Sequence, residues 1–274
     1  MRNIIHTLNT LLPFFYGLTF LFYLLNFIYD KKELSLGKRL LLFLTILFHF
    51  FYLLIRTIEF DHTPITTVFE IMTLLAFAIT ISYYIIEIVT DVRNTGTFIL
   101  FLPLIFQTVS SINIKDLIEV KEVLRSPYLG VHVFTALTGY AGITFSAIYG
   151  LLYLLLYKQI KSQKFGLIFN RMPNLELLEY LSLVSALVGF VMLTIAIVIG
   201  FIWLPQAFTE PSYFDPKLIA TIIVWLFYAF GIFGRWFFKW SGRKIVYLSL
   251  TGFMITLFSM SILNLLFTGF HKFF

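Results

Sequence analysis

The sequence contains no cysteine, which excludes disulfides, thiolate metal ligation, cysteine nucleophiles and cysteine-held iron–sulfur clusters. Charge is scarce too. Asp, Glu, Lys and Arg make up 12% of the 274 residues against 59% hydrophobic, and the mean hydropathy is +0.92. Soluble domains carry about 25% charge, so too little polar surface exists here to coat a water-soluble globule. No run matches a phosphate-binding Gly-rich loop, a nucleophile elbow or the HExxH zinc motif. The two halves do not repeat half-helix pairs or buried acids as many secondary transporters do, and His49 and Glu87 are the main ionisable residues inside apolar runs. A small-solute transporter is therefore disfavoured. The net charge of +6 is no argument for nucleic acid, because the basic residues lie mostly in short turns between apolar runs.

What is present is a series of long apolar segments. A ruler of about twenty residues per span finds eight, near residues 8–29, 38–56, 66–89, 96–113, 128–157, 177–203, 217–238 and 245–269. The expected fold is all-α, a polytopic bundle of about eight transmembrane helices forming a single membrane domain over residues 1–274. The first segment is too long and too weakly basic at its start for a cleaved signal peptide, and is expected to stay. Of the twenty Lys and Arg, thirteen fall in one alternating set of connections and seven in the other set with the termini. The richer set reads as cytoplasmic, which puts both termini and the 200–217 loop on the outer side of a bacterial-type plasma membrane.

That loop, GFIWLPQAFTEPSYFDPK, carries Phe201, Trp203, Phe208, Tyr213 and Phe214, with Asp215 and three prolines. Such a stretch suits a flat amphipathic ligand held at the membrane surface, or an interfacial aromatic belt. The orientation places His6, His62, His132 and His271 at the outer face, with His49 inside the second segment. Arg56, seven residues after His49, can pair with Glu70 in the first turns of the third segment or meet a ligand. His132 opens the fifth segment above a stripe of small residues, Ala136, Gly139, Gly142, Ser146 and Gly150, which admits a close helix or a planar ligand. His271 closes the eighth, two turns after Asn264. If the fifth and eighth segments are neighbours, the two imidazoles approach one metal from opposite sides, as bis-histidine haem ligation requires. The mixed-charge connection from Ile114 to Arg125 reads as a solvated linker, and the basic connection from Lys158 to Arg171 as a contact for anionic membrane lipid.

Taken in order, these pieces resemble a known family, the CcsA-type cytochrome c assembly proteins and their HemX-like relatives. The resemblance runs from His49 to His271 and includes DHTPITTVFE, the aromatic loop, WLFYAFGIFGR and NLLFTGFH. It implies a haem-handling membrane protein in which His132 and His271 ligate haem b iron and Trp203, Tyr213, Phe214 and Asp215 form the platform. His49, His62 and Glu70 resemble family positions for the same cargo. The implied partners are an apocytochrome c or a companion assembly subunit, so the chain is at most a component of a haem lyase. The departures are a single tryptophan in the loop, Leu218 after Asp-Pro-Lys where Glu is usual, and Phe233 and Gly234 where a histidine precedes the arginine of the seventh segment. They look more like the HemX-like branch, for which the implied role is regulation by contact with a haem-biosynthesis enzyme.

Overall fold

Nine helices account for nearly all of the described chain. The computed structural model describes residues 2–116, 126–207 and 216–266, with the backbone alone for Lys32, Ala207, Lys217 and 259–266. The helices are α1 (Arg2–Tyr29), α2 (Lys32–Phe60), α3 (Val68–Thr90), α4 (Gly96–Asn113), α5 (Pro127–Lys161), α6 (Leu167–Arg171), α7 (Leu175–Ala207), α8 (Pro216–Phe238) and α9 (Arg243–Leu266). Each of the eight predicted segments falls on a helix, the last of them described as far as Leu266. The extra element is the one-turn α6 inside the basic connection. Among the described residues, seven helices are long and apolar enough to cross a membrane; α9, whose side chains are described only to Phe258, is not in that set. The chain is a polytopic integral membrane protein.

The helix ends follow local chemistry. Asp61 and Asp91 cap α2 and α3 in the left-handed conformation, which aspartate tolerates better than a branched residue would. Thr67 caps α3 by accepting from the Glu70 amide at 3.1 Å. Pro127 and Pro216 open α5 and α8, where the missing N–H is no loss.

One sequence boundary needs correction. The 200–217 stretch is not a loop throughout, because α7 continues to Ala207 with Pro205 inside it, and α8 begins at Pro216. Proline removes one backbone donor, and a long apolar membrane helix tolerates that where neighbouring groups meet the freed carbonyl. Gly200, Phe201 and Trp203 are therefore helical, and the connection shrinks to 208–215, which lies outside the described residues.

The chain divides into two compact units, Met1–Ser126 and Pro127–Phe274. In the first, α1 packs on α2 and α4, and α3 on α4. Ile5, Leu12, Tyr16, Tyr52 and Ala76 form its apolar centre. In the second, α5 lies along α7 and also meets α9, while α8 packs on α9 and α7. Of the small-residue stripe on α5, Gly142 serves this packing: a Cβ there would sit 2.8 Å from the Gly189 Cα and 2.9 Å from the Ser185 carbonyl. Ser182 on α7 adds an interhelical bond, donating to the Ser146 carbonyl at 2.8 Å.

Gly142→Val should destabilise the purified protein by about 1–3 kcal/mol or more through overpacking, whereas Gly130→Ala, where a Cβ meets nothing within 4 Å, should be near neutral. Thermal melts in one detergent compare them.

Candidate functional site

In the second unit, His132 stands one turn into α5 with its ring beside Gly200 of α7. Its Nδ1 lies 2.9 Å from the Ala196 carbonyl. A carbonyl only accepts, so Nδ1 carries the proton and Nε2 keeps its lone pair. Among the described residues that nitrogen has no hydrogen-bond partner. The ring fits because residue 200 is glycine: a Cβ there would come within 3.0 Å of Cε1 and 3.1 Å of Nδ1.

His132 lines a cleft of about 170 Å³ between α5, α7 and α8. Ala136, Leu193, Ile197, Leu204 and Leu218 make its walls mainly apolar. Its other polar groups, Tyr140 and Thr221, bond to each other through their side chains. The last turns of α7 supply Gly200, Phe201 and Leu204 to the lining but not Trp203, which is half-buried nearby. These turns lead directly into 208–215.

The first unit holds the other candidates, and they are differently placed. His49 is fully buried among four helices. Thr73 donates its one proton to Gln107 Oε1 at 2.6 Å, so at 3.0 Å it accepts from His49 Nε2. His49 Nδ1 then accepts from the Tyr16 hydroxyl at 2.8 Å. Gln107 passes the network on, donating to Ser111 Oγ at 2.9 Å. Both nitrogens of His49 are thus engaged, in the tautomer opposite to that of His132.

Seven residues further along α2, Arg56 and Glu70 form an ion pair with side chains 2% and 0% exposed. Two guanidinium nitrogens reach Glu70 Oε1, at 2.9 and 3.2 Å. Arg56 also donates to Asp116 Oδ1 at 3.0 Å and to the Lys115 carbonyl at 2.9 Å. Glu70 Oε2 accepts from the amide and hydroxyl of Thr66 at 2.8 and 2.6 Å. Asp116 additionally meets His6 Nε2 at 3.2 Å. The connection that begins at Ile114 is therefore more than a solvated linker, because its first acid helps neutralise the arginine. His62 is buried in the α2–α3 connection, with Nδ1 2.9 Å from the Thr63 carbonyl and its ring 6.2 Å from Phe60.

A family model described as cytochrome c assembly protein matches residues 7–271. The chain belongs to that family. It is 28% identical over 266 residues to the cytochrome c biogenesis protein CcsA of Prochlorococcus marinus strain MIT 9301, covering 89% of this chain and 86% of that one. It is 24% identical over 261 residues to CcsA of Heterosigma akashiwo strain NIES-293 / 8280G21-1, covering 82% and 80%. With CcsA of Guillardia theta the identity is 25% over 237 residues, covering 80% and 79%.

In this cytochrome c assembly protein the cleft joins His132 to the end of α7. His49, His62 and Glu70 belong to the first unit, each with internal partners. Tyr213, Phe214, Asp215 and His271 lie outside the described residues. Sequence reasoning missed the Ala196 carbonyl, Gly200 and Asp116. A backbone acceptor has no residue signature, and Gly200 was legible only as the start of an aromatic stretch.

Nitrogen NMR of histidine-labelled protein at neutral pH should show His132 protonated at Nδ1 and His49 at Nε2; the reverse assignment would remove the free Nε2. Arg56→Met should cost about 3–5 kcal/mol by stranding Glu70 in a dry site. The double variant Arg56→Met, Glu70→Met should lose clearly less than the sum of the single changes in denaturation midpoints.

Proposed function

We propose that this protein handles haem b during cytochrome c maturation, with His132 as one axial ligand and His271 as the second. The observation that carries the reading is the His132 geometry. Its Nδ1 proton is committed to the Ala196 carbonyl, and such a bond fixes an imidazole's orientation and raises the basicity of its free nitrogen. Small Ala136 and Gly200 and the apolar walls fit the rim of a flat macrocycle. The cleft is smaller than the roughly 300 Å³ of a whole small-molecule site, so it would take only part of the cargo, and Trp203, Tyr213, Phe214 and Asp215 are the residues proposed as the platform for the rest.

In this reading the chain's residues hold the cargo, orient it and shield it from water. The thiols that receive it belong to an apocytochrome c, because this chain has none. A companion assembly subunit is the other partner, and the chain is one component of the haem lyase. The distribution of Lys and Arg supports placing the cleft and both termini on the outer side of a bacterial-type plasma membrane. His49, His62 and Glu70 act in the same handling through their unit.

Purified from haem-replete membranes, the wild type should show a Soret band that falls to background in a His132→Ala, His271→Ala variant and falls in part in Gly200→Leu. Undiminished haem in the double variant would sink the ligand assignment. Haem-free wild type that co-purifies with a haem-biosynthesis enzyme would favour a regulatory role instead.

A further inference from the structure

At the end of the second unit away from His132, the last turns of α5 and the first turn of α9 enclose a groove of about 500 Å³. Lys158, Lys161 and Ser162 line it from α5, and Arg243 and Tyr247 from α9, over Leu154. All three cations are exposed, and among the described residues none has an acidic partner within 4 Å. The nearby Glu179 is engaged by Arg235 at 3.4 Å. A second hollow of about 620 Å³ shares Lys158 and Ser162 and adds Lys164.

The two lysines have a simple explanation, since cations at a helix C-terminus complement the macrodipole. Arg243 does not. It begins α9, the end at which a helix favours anions, and Lys244 follows it. Its guanidinium is nevertheless held in place 4.8 Å from the centre of the Tyr157 ring. An arrangement that concentrates positive charge where the backbone already disfavours it is balanced when a negative group occupies the groove. The walls indicate which kind. A polar rim of Lys158, Lys161, Ser162 and Arg243 above Leu154 and Tyr247 matches a charged headgroup with the start of its chains, and tyrosine prefers this depth in a bilayer.

We propose that this groove binds the phosphate of an anionic phospholipid from the surrounding bilayer. The inference is independent of haem. Of the functional reading it takes only the orientation that puts this end in the cytoplasmic leaflet, where anionic lipids meet juxtamembrane basic residues. The lipid would anchor α5 to α9 at the end opposite the His132 cleft.

Native mass spectrometry of the full chain, purified into detergent with equal phosphatidylglycerol and phosphatidylcholine, reads the outcome. The wild type should retain phosphatidylglycerol preferentially, and that preference should fall roughly five-fold for each cation removed in Lys158→Gln and Arg243→Gln. Arg243→Lys should keep most of it, and Lys31→Gln, in the first unit, should leave it unchanged. Lys161→Gln, a change at an exposed position, supplies the same readout should the other variants fold poorly. Equal retention of the two lipids, an unaltered preference in Lys158→Gln and Lys161→Gln, or full displacement of the lipid by millimolar inorganic phosphate would each overturn the proposal.

Discussion

The bilayer core offers no water, so each polar side chain carried into it must meet its partner within the protein. Much of the first unit is organised by that requirement. At one end Arg56 is shared among Glu70, Asp116 and the Lys115 carbonyl. Mid-helix, Tyr16, His49, Thr73 and Gln107 bind α1, α2, α3 and α4 in one hydrogen-bonded series. At the other end Glu87 accepts from Tyr23 at 2.6 Å and from Arg39 at 2.9 Å, while Lys38 donates to the Arg93 carbonyl at 2.8 Å. Apolar side chains pack almost as well against lipid as against each other. These directional contacts, more than the apolar ones, fix which helix faces which.

The second unit solves its packing differently and keeps its chemistry at the ends. Close contact of α5 and α7 through Gly142 and Gly189 needs few polar groups. That leaves His132 with a single commitment, to a backbone carbonyl. The contrast between the two imidazoles is instructive. One is saturated by hydroxyl partners on both nitrogens, and the other is pinned by one nitrogen and open at the second. The same residue type acts as an internal fastener in one place and as a candidate ligand in the other, and the neighbours make the difference.

Much of this architecture was legible in the sequence. Runs of about twenty apolar residues separated by charged turns read as spanning helices, and seven of the eight predicted segments are helices of spanning length and hydropathy among the described residues. The Arg56–Glu70 pair was legible as well, because two opposite charges at adjoining helix ends in an apolar setting have few alternatives. The end of α7 was not legible: the proline-containing aromatic stretch from Gly200 reads as a loop, yet the helix takes in Pro205 and runs to Ala207. The five-residue α6 carries too short a pattern to stand out from a basic connection.

Composition and order therefore determined the class of the molecule, its membrane setting and its family, because hydrophobic length and the spacing of rare polar residues are properties of the chain itself. Tertiary structure alone decided that Asp116 neutralises Arg56, that His49 has both nitrogens engaged, and that the Ala196 carbonyl and the bare Cα of Gly200 hold His132 with Nε2 free. Those outcomes depend on atoms contributed by other helices, including backbone oxygens that every residue possesses, and no local pattern encodes which of them will arrive.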